Sequence, residues 1–268
     1  MIRQIYIFVI GILCPLLQWG CSHEAEKGRA IVADQKVAFS HDHPKLAKVL
    51  SKVSDGRGGV NYPWLQKHPK DLNDYLALAA SVPRRQFLEW SKSEQMAFLL
   101  NVYNAATLKL IVEHYPVSSI RDIRTIGSVW NLKVVSLFGG KISLSYLENQ
   151  LLRKGFQASS VHFALVCGSK GCPVLRGNPY NAQNLEDQFL DQTKSFLGDR
   201  SKNRVDLEKR IVYLSPIFKW YKEDFGESDA DILDFVATHF NQTENSAIKS
   251  GEFKIRYTDF DWQINGPN

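Results

Sequence analysis

The apolar stretch from Met96 to Val112 constrains the fold more than any other feature of this sequence. Ser91 followed by Glu94 is a capping-box pattern, which predicts a helix from Glu94 to His114. Over Met96–Val112 this helix is apolar on nearly every side, so it offers no face suited to solvent. We therefore expect it to be buried all round at the centre of a domain.

Three polar residues, Asn101, Asn104 and Lys109, interrupt this stretch and argue against a membrane span. Asn101 and Asn104 are three residues apart and share a helix face. A buried amide without a partner costs about 1–3 kcal/mol, so both side chains should have partners. They either tie loops to the central helix or act as polar binding groups of a site.

The remaining pattern predicts helices and short strands in alternation. The predicted helices are His43–Val53, Lys70–Ser81, Arg84–Trp90, Ser119–Ile126, Ser145–Arg153, Leu185–Leu197, Pro216–Phe225 and Asp229–Phe240. The predicted strands are Val134–Phe138 and Lys141–Leu144 around Gly139-Gly140, the apolar run Val161–Cys167, Val205–Leu207 with Ile211–Leu214, and Phe253–Ile264. We predict a single α+β domain in which a small, mostly antiparallel sheet packs against a helical layer with one long buried central helix.

The N-terminus predicts export. Met1–Gln4 carries a positive charge, Ile5–Leu17 is mostly apolar, and Gly20 precedes Cys21. The apolar run is shorter than the ~20 residues of a membrane-spanning helix but has the length of a signal peptide. Residues 1–21 are predicted to be a lipoprotein-type signal segment with lipidation at Cys21. A plain secretory signal or an uncleaved anchor is the alternative.

Residues 22–42 show no clear period and are predicted to be a tether, followed by a globular domain over residues 43–268. Ser22 after the cysteine favours the outer membrane, with the domain anchored by lipid and facing the periplasm. In that oxidising space only Cys167 and Cys172 would remain in the domain. The Lys and Arg residues behind the net charge of +5 are scattered, so no nucleic-acid partner is predicted.

Several ordered motifs resemble a known family. They are Gly59–Tyr62, Ala97–Ala105, Leu144–Glu148 with Leu152-Arg153, and His162–Leu165 continuing through Cys167 to Pro173. From about residue 55 to residue 225 the chain is similar to the domain-of-unknown-function family 547. The resemblance implies a cysteine-peptidase-like arrangement of Cys, His and Glu, without an assigned activity.

The residues whose side chains could take part in a reaction are Glu148, His162, Cys167 and Cys172. A nearby imidazole can lower the pKa of a thiol, and a carboxylate can orient the imidazole. On an extended strand His162 and Cys167 would point to opposite faces, whereas a loop with Gly168 could return Cys172 to the sheet. The prediction is therefore Cys172 as nucleophile, His162 as base and Glu148 as orienting acid.

Each of these residues also has a structural interpretation. Glu148 lies three residues after Ser145 and could complete a capping box. His162 could be a histidine of the core whose hydrogen bonds are satisfied by the protein. Cys167 and Cys172 could form a disulfide. Arg153 and Arg176 could bind an anionic substrate group or form surface ion pairs. No zinc-ligand spacing is present, and no cofactor is predicted.

Two functions stay open at this point. The first is a thiol-dependent hydrolase or acyltransferase with a Cys-His-Glu site, acting on a peptide, amide or other envelope polymer. The second is a non-catalytic envelope lipoprotein with a structural or peptide-binding polar cluster and a Cys167–Cys172 disulfide. Phosphate-binding glycine loops and a Gly-x-Ser-x-Gly elbow are absent, which disfavours kinases, dehydrogenases and ordinary serine hydrolases.

Overall fold

The computed structural model describes residues 35–267. The predicted signal segment, Cys21 and most of the predicted tether lie outside the described residues. The helices are α1 (Pro44–Val53), α2 (Tyr62–Lys67), α3 (Lys70–Ser81), α4 (Arg84–Glu89), α5 (Lys92–His114), α6 (Leu144–Tyr146), α7 (Lys154–Phe156), α8 (Val161–Ala164), α9 (Leu185–Gly198), α10 (Ile217–Trp220), α11 (Lys222–Phe225), α12 (Asp229–Ala237) and α13 (Gln242–Ser250). The strands are β1 (Val135–Leu137), β2 (Gly140–Ile142), β3 (Arg204–Asp206), β4 (Ile211–Leu214) and β5 (Lys254–Tyr257). A π-helix, Leu147–Arg153, joins α6 to α7, and 3-10 helices span Ile120–Ile123 and Val129–Asn131.

Helix α5 is the centre of the domain, as predicted. The capping box is formed in both directions: the Ser91 N–H donates to the Glu94 carboxylate (2.8 Å), and the Glu94 N–H donates to Ser91 Oγ (3.2 Å). In the described part of the chain α5 is the helix that is long and apolar enough to cross a membrane, yet 94% of its apolar window is buried inside the domain. It is therefore a core helix.

Two hydrophobic clusters make up the interior. The first surrounds α5, which packs against α2, α3, β1, α6 and the π-helix. The second lies among α9, β4, α10 and α12, with Phe218 and Ile232 fully buried. Phe163 of α8 belongs to the second cluster, although its neighbours Val161 and Ala164 belong to the first. Helix α9 also contributes to both clusters, so the two clusters adjoin along α8 and α9.

The strands form two small sheets, which confirms the α+β class. Strands β1 and β2 pair antiparallel, with Val135 opposite Ile142 and Leu137 opposite Gly140. Phe138 and Gly139 both have positive φ, the conformation of a type I′ hairpin turn. The turn is therefore one residue earlier than the predicted Gly139-Gly140. In the second sheet β4 pairs antiparallel with β3 and parallel with β5.

The predicted strand Val161–Cys167 is wrong. Residues Val161–Ala164 form helix α8, closed by a hydrogen bond from the Leu165 N–H to the Val161 carbonyl (3.1 Å). A short run whose one strongly polar residue is His162 shows no clear period, so sequence alone does not separate a buried strand from a buried helical turn. Residues 161–166 are all buried.

Residues 36–42, assigned to the tether from the sequence, contact the domain. The Val37 N–H donates to Gln86 Oε1 (2.7 Å), and Gln86 Nε2 donates to the Val37 carbonyl (2.8 Å). The Phe39 ring lies 5.2 Å from the Phe98 ring, centre to centre, and 5.4 Å from that of Trp90. The segment is held against the domain by the Phe39 ring and the Gln86 side-chain amide. Neither residue belongs to a periodic sequence pattern that would have predicted this contact.

Candidate active site

A cavity of ≈ 250 Å³ opens beside α8 and brings together the predicted chemical residues. Glu148, His162, Cys167 and Cys172 all line it. The other lining residues are mostly aromatic or apolar: Tyr103, Trp130, Ser145, Asn149, Leu165, Pro173, Ile217, Trp220, Tyr221, Phe260 and Trp262. The sequence therefore identified one wall of this cavity.

Asn104 of the central helix fixes the backbone that carries the site. Its Nδ2 donates to the Ala164 carbonyl (3.0 Å), and its Oδ1 accepts from the Val166 N–H (2.9 Å). These bonds satisfy the amide and pair two buried backbone groups of the bend after α8. Asn104 thus holds the segment from His162 to Cys167 against α5, which supports the loop-tying interpretation.

Asn101 acts in the same way one turn earlier. Its Nδ2 donates to the Tyr180 carbonyl (2.8 Å), and its Oδ1 accepts from the Tyr180 N–H (2.9 Å). Gln192 of α9 adds a third clamp, because its Nε2 donates to the carbonyls of Phe163 (3.0 Å) and Val174 (2.9 Å). Both ends of the segment that carries the cysteines are therefore fixed to helices.

Cys167 and Cys172 form a disulfide, so neither carries a free thiol in this form. Cys172 is buried and Cys167 is half-buried. The Cys172 Sγ also accepts hydrogen bonds from the N–H groups of Cys167 (3.2 Å) and Ser169 (3.4 Å). Gly168 makes the tight loop feasible: its φ is +82°, and a Cβ there would collide with Ile111 of α5.

His162 bonds to a carboxylate, which belongs to Asp224 of α11. The distance from His162 Nε2 to Asp224 Oδ2 is 2.6 Å. Burial lowers the pKa of His162 to about 4, since it outweighs the opposing effect of Asp224. Burial also acts to raise the pKa of Asp224, but hydrogen bonds from Arg153 and His162 bring it below its ordinary value. At neutral pH a neutral imidazole therefore donates its Nε2–H to an ionised Asp224, which leaves Nδ1 unprotonated.

The predicted orienting acid, Glu148, is engaged elsewhere. It accepts hydrogen bonds from the hydroxyls of Tyr221 (2.6 Å) and Tyr103 (3.1 Å), and burial raises its pKa. It is not the capping residue either, since Ser143 caps α6 and accepts from the Tyr146 N–H. Within residues 35–267 the carboxylate that contacts His162 is that of Asp224, so the orienting contact is not made by Glu148.

Tyr221 links the Glu148 and His162 contacts. Its ring stacks on the His162 imidazole with centroids 4.0 Å apart, while its hydroxyl donates to Glu148. The Arg153 guanidinium also lies over the Tyr221 ring, 4.9 Å from its centre. A displacement of Tyr221 would therefore disturb the imidazole, the buried carboxylate and the guanidinium together.

Arg153, predicted as a binding residue, has its donors committed to protein groups. It bonds to both carboxylate oxygens of Asp224 (2.5 and 3.0 Å), to Glu223 (2.7 Å) and to Asn149 Oδ1 (2.6 Å). These charge-assisted contacts favour the charged form, and the pKa of Arg153 is raised. Arg176 forms an ion pair with Asp191 (2.6 Å).

Sequence reasoning missed Asp224, Tyr221 and the aromatic wall of Trp220, Phe260 and Trp262. The sequence predicts a helix up to Phe225, but nothing in a single sequence links its acidic residues to a histidine 62 positions earlier. Among the described residues no group of three or more His, Cys, Asp or Glu side chains is arranged to hold a metal ion.

Comparison with known proteins agrees with the resemblance seen in the motifs. Residues 87–197 match the model of a family described as protein of unknown function, DUF547. No curated protein and no solved structure matches the chain. The matched span includes α5, Glu148, His162 and both cysteines of the disulfide, but it ends before Tyr221 and Asp224. Residues 87–197 of this chain thus resemble the DUF547 family.

Proposed function

We propose that the reduced protein is a thiol-dependent hydrolase or acyltransferase that acts on a peptide or amide. One observation carries the proposal: the Cys172 sulfur, which already accepts two backbone N–H bonds, lines the same cavity as a neutral imidazole oriented by Asp224. Hydrogen bonds to a thiolate stabilise its charged form and lower the pKa of the thiol.

The disulfide must be opened before catalysis. A dithiol donor supplies two electrons and two protons, which convert the bond between Cys167 and Cys172 into two thiols while the donor becomes a disulfide. Cys167 is the more exposed residue of the pair, so we expect an incoming thiolate to attack its sulfur. Cys172 then leaves as the thiolate that its two N–H donors stabilise.

The shared cavity supports the following catalytic step. The Cys172 thiolate attacks the carbonyl carbon and forms a C–S bond, and the imidazole, having taken the thiol proton, gives it to the departing amine. The resulting thioester is cleaved by water in a hydrolase or by a second amine in an acyltransferase. Asp224 orients His162, and Glu148 acts as a positioning residue by holding the Tyr221 hydroxyl.

Alkylation of the reduced protein tests this proposal. We expect iodoacetamide to modify Cys172 at pH 7 several-fold faster than it modifies free cysteine, with the site identified by peptide mass mapping. His162→Ala should slow the reaction several-fold, whereas the matched control His114→Ala should not. Equal rates for Cys172 and free cysteine in the fully reduced, folded protein would contradict the proposal.

The disulfide itself favours a second candidate, a non-catalytic envelope protein whose bond fixes the loop between Cys167 and Cys172. Closing so short a loop stabilises a fold by about 2 kcal/mol in the chain-entropy model. On this alternative Cys167→Ser lowers the melting temperature and leaves Cys172 unreactive. On the enzyme proposal the same variant gives a Cys172 that is reactive without any reductant.

We also propose that the chain is a lipid-anchored envelope protein, with the domain in the periplasm and Cys21 as the lipidated residue. The apolar run of signal-peptide length and the Gly20-Cys21 pair support this location. Cys21→Ala should move the protein from the membrane fraction to the soluble fraction of the envelope, with Cys14→Ala as the matched control. Unchanged membrane association of Cys21→Ala would contradict the lipid anchor.

A further inference from the structure

An aromatic wall extends from the disulfide toward solvent. The Phe260 ring lies against Gly171, where an added Cβ would come within 3.0 Å of it, directly beside Cys172. The Phe260 ring centre is 4.5 Å from that of Trp262 and 5.0 Å from that of Trp220, which is 47% exposed. These rings give a ligand an apolar surface that begins at the reactive sulfur.

The far end of this wall leads into a second, more open groove. This groove, of ≈ 720 Å³, shares Trp130 and Trp262 with the first cavity and adds Arg121 and Arg124. The Arg124 guanidinium donates to the backbone carbonyls of Ile126 (2.6 Å) and Ser128 (3.4 Å). A ligand can therefore run from the cavity across Trp262 into a groove that carries two guanidinium groups.

Arg121 differs from Arg153 and Arg176, whose guanidinium groups form ion pairs with carboxylates. Its guanidinium lies over the Trp262 ring, 5.0 Å from the ring centre, and is exposed. Within residues 35–267 no carboxylate lies within ion-pair distance of it, although Asp122 is its neighbour in the chain and lines the same groove. Stacking on an aromatic face orients a guanidinium and leaves its donors available.

We infer that the substrate is a peptide whose carboxylate, roughly three residues from the attacked carbonyl, binds Arg121. This inference rests on the proposed function. From the Phe260 ring, which lies beside Cys172, the steps to Trp262 (4.5 Å) and on to the Arg121 guanidinium (5.0 Å) add up to at most roughly 10 Å, the reach of about three extended residues. The carboxylate is either the C-terminus or an acidic side chain, since both present the same planar pair of oxygens.

Binding of three acetylated peptides to the oxidised protein tests the inference. The probes are acetyl-Ala-Ala-Ala with a free C-terminus, acetyl-Ala-Ala-Asp amide and acetyl-Ala-Ala-Ala amide, titrated by intrinsic tryptophan fluorescence. At least one of the two acids should bind about fivefold more tightly than the uncharged amide, the effect of one exposed ion pair. The preference should fall as ionic strength rises.

Two variants decide the assignment. Arg121→Gln should abolish the preference for the acid, while Arg84→Gln, which removes an exposed arginine outside both cavities, should retain it. Equal affinities for acid and amide in the wild type, or an equal loss in the two variants, would overturn the inference. Because Cys172 has no free thiol while it is bonded to Cys167, this result is independent of the alkylation experiment, and failure of one proposal is distinguishable from failure of the other.

Discussion

The two segments that meet at the cavity, residues 161–172 and residues 217–225, are held by different kinds of contact. In the first segment backbone groups bond to Asn104 and Gln192, so the path of the chain itself is fixed. The second segment reaches the cavity from the other hydrophobic cluster and contributes through side chains, chiefly Tyr221 and Asp224. The first segment lies within the span that resembles DUF547, and the second lies outside it.

This difference separates two properties of the site. The first segment sets where the Cys172 sulfur and the His162 ring stand, because its backbone is tied to α5 and α9. The second segment influences the protonation states of His162 and Glu148, since Asp224 bonds to the imidazole and Tyr221 bonds to the Glu148 carboxyl. Changes to the first segment should therefore alter stability most, and changes to the second should alter pH dependence.

The largest effect is expected at the support of the first segment. Leu100 of α5 is 0% exposed, and Leu100→Asp would place an unpaired charge in the core. The cost of several kcal/mol approaches a typical total stability of about 5–15 kcal/mol, so the variant should fail to fold. Leu88→Asp is the control, since Leu88 is 53% exposed. Urea unfolding measures both, and a stable Leu100→Asp protein would show that α5 does not support the site.

A smaller loss of stability is expected when only the hydrogen bonds of Asn104 are removed. Asn104→Leu keeps the branched shape and the number of heavy atoms of the side chain but leaves the Ala164 carbonyl and the Val166 N–H without partners. Two unpaired buried groups cost about 4 kcal/mol, and the Val166 amide should exchange faster with solvent deuterium. Asn73→Leu, on the exposed side of α3, is the control. Unchanged exchange at Val166 would mean that the backbone is held by packing alone.

The contact between His162 and Asp224, which links the two segments, should make the free energy of unfolding depend on pH. His162 has a folded pKa of about 4 against 6.5 unfolded, so the unfolded state binds the extra proton first as pH falls. The contribution of neutral His162 to the free energy of unfolding is full above pH 6.5. It is lost between pH 6.5 and pH 4, a change of roughly 3 kcal/mol. The raised pKa of Glu148 acts in the opposite direction, and Asp224 loses its contribution only below pH 3.8.

The comparison with His162→Gln isolates this effect. His43, whose pKa burial lowers to about 3, also titrates in this window and is present in both proteins. The midpoint of urea unfolding should fall more steeply from pH 6.5 to pH 4 in the wild type than in the variant. Parallel curves would mean that the His162 imidazole is not held neutral by the fold.

The smallest effect is expected within the second segment. Tyr221→Phe keeps the ring that stacks on His162 and removes the hydrogen bond to Glu148. The loss should be about 1 kcal/mol at neutral pH, and the pKa of Glu148 should rise further because that bond lowers it. Tyr146→Phe, at a tyrosine that is 49% exposed, is the control. A larger loss than for Asn104→Leu would reverse the comparison between the segments.

The same contrast explains what the sequence could predict. The burial of α5, its capping box and the hairpin β1–β2 follow from local patterns. Cys172 and His162 line one cavity, but the strand on which their proximity was argued from the sequence is a helix. The prediction of a strand over Val161–Cys167 was wrong because this short, mostly apolar run has no pattern that separates a strand from a helix. Asp224 was missed because its contact with His162 spans 62 residues, and such pairings depend on tertiary packing that one sequence does not encode locally.

The clamps on α5 also have a consequence for the order of synthesis. The helix ends at His114, but the backbone groups that pair with its two asparagines lie near Val166 and at Tyr180. At a synthesis rate of about 5–20 residues per second, the helix waits roughly 3–13 seconds for those partners. During that interval α2 and α3, which precede α5 in the chain, are available to cover part of its apolar surface, whereas the part that packs against β1, α6 and the π-helix waits for later residues. Asn101 and Asn104 therefore stay without their backbone partners until residue 180 has been made.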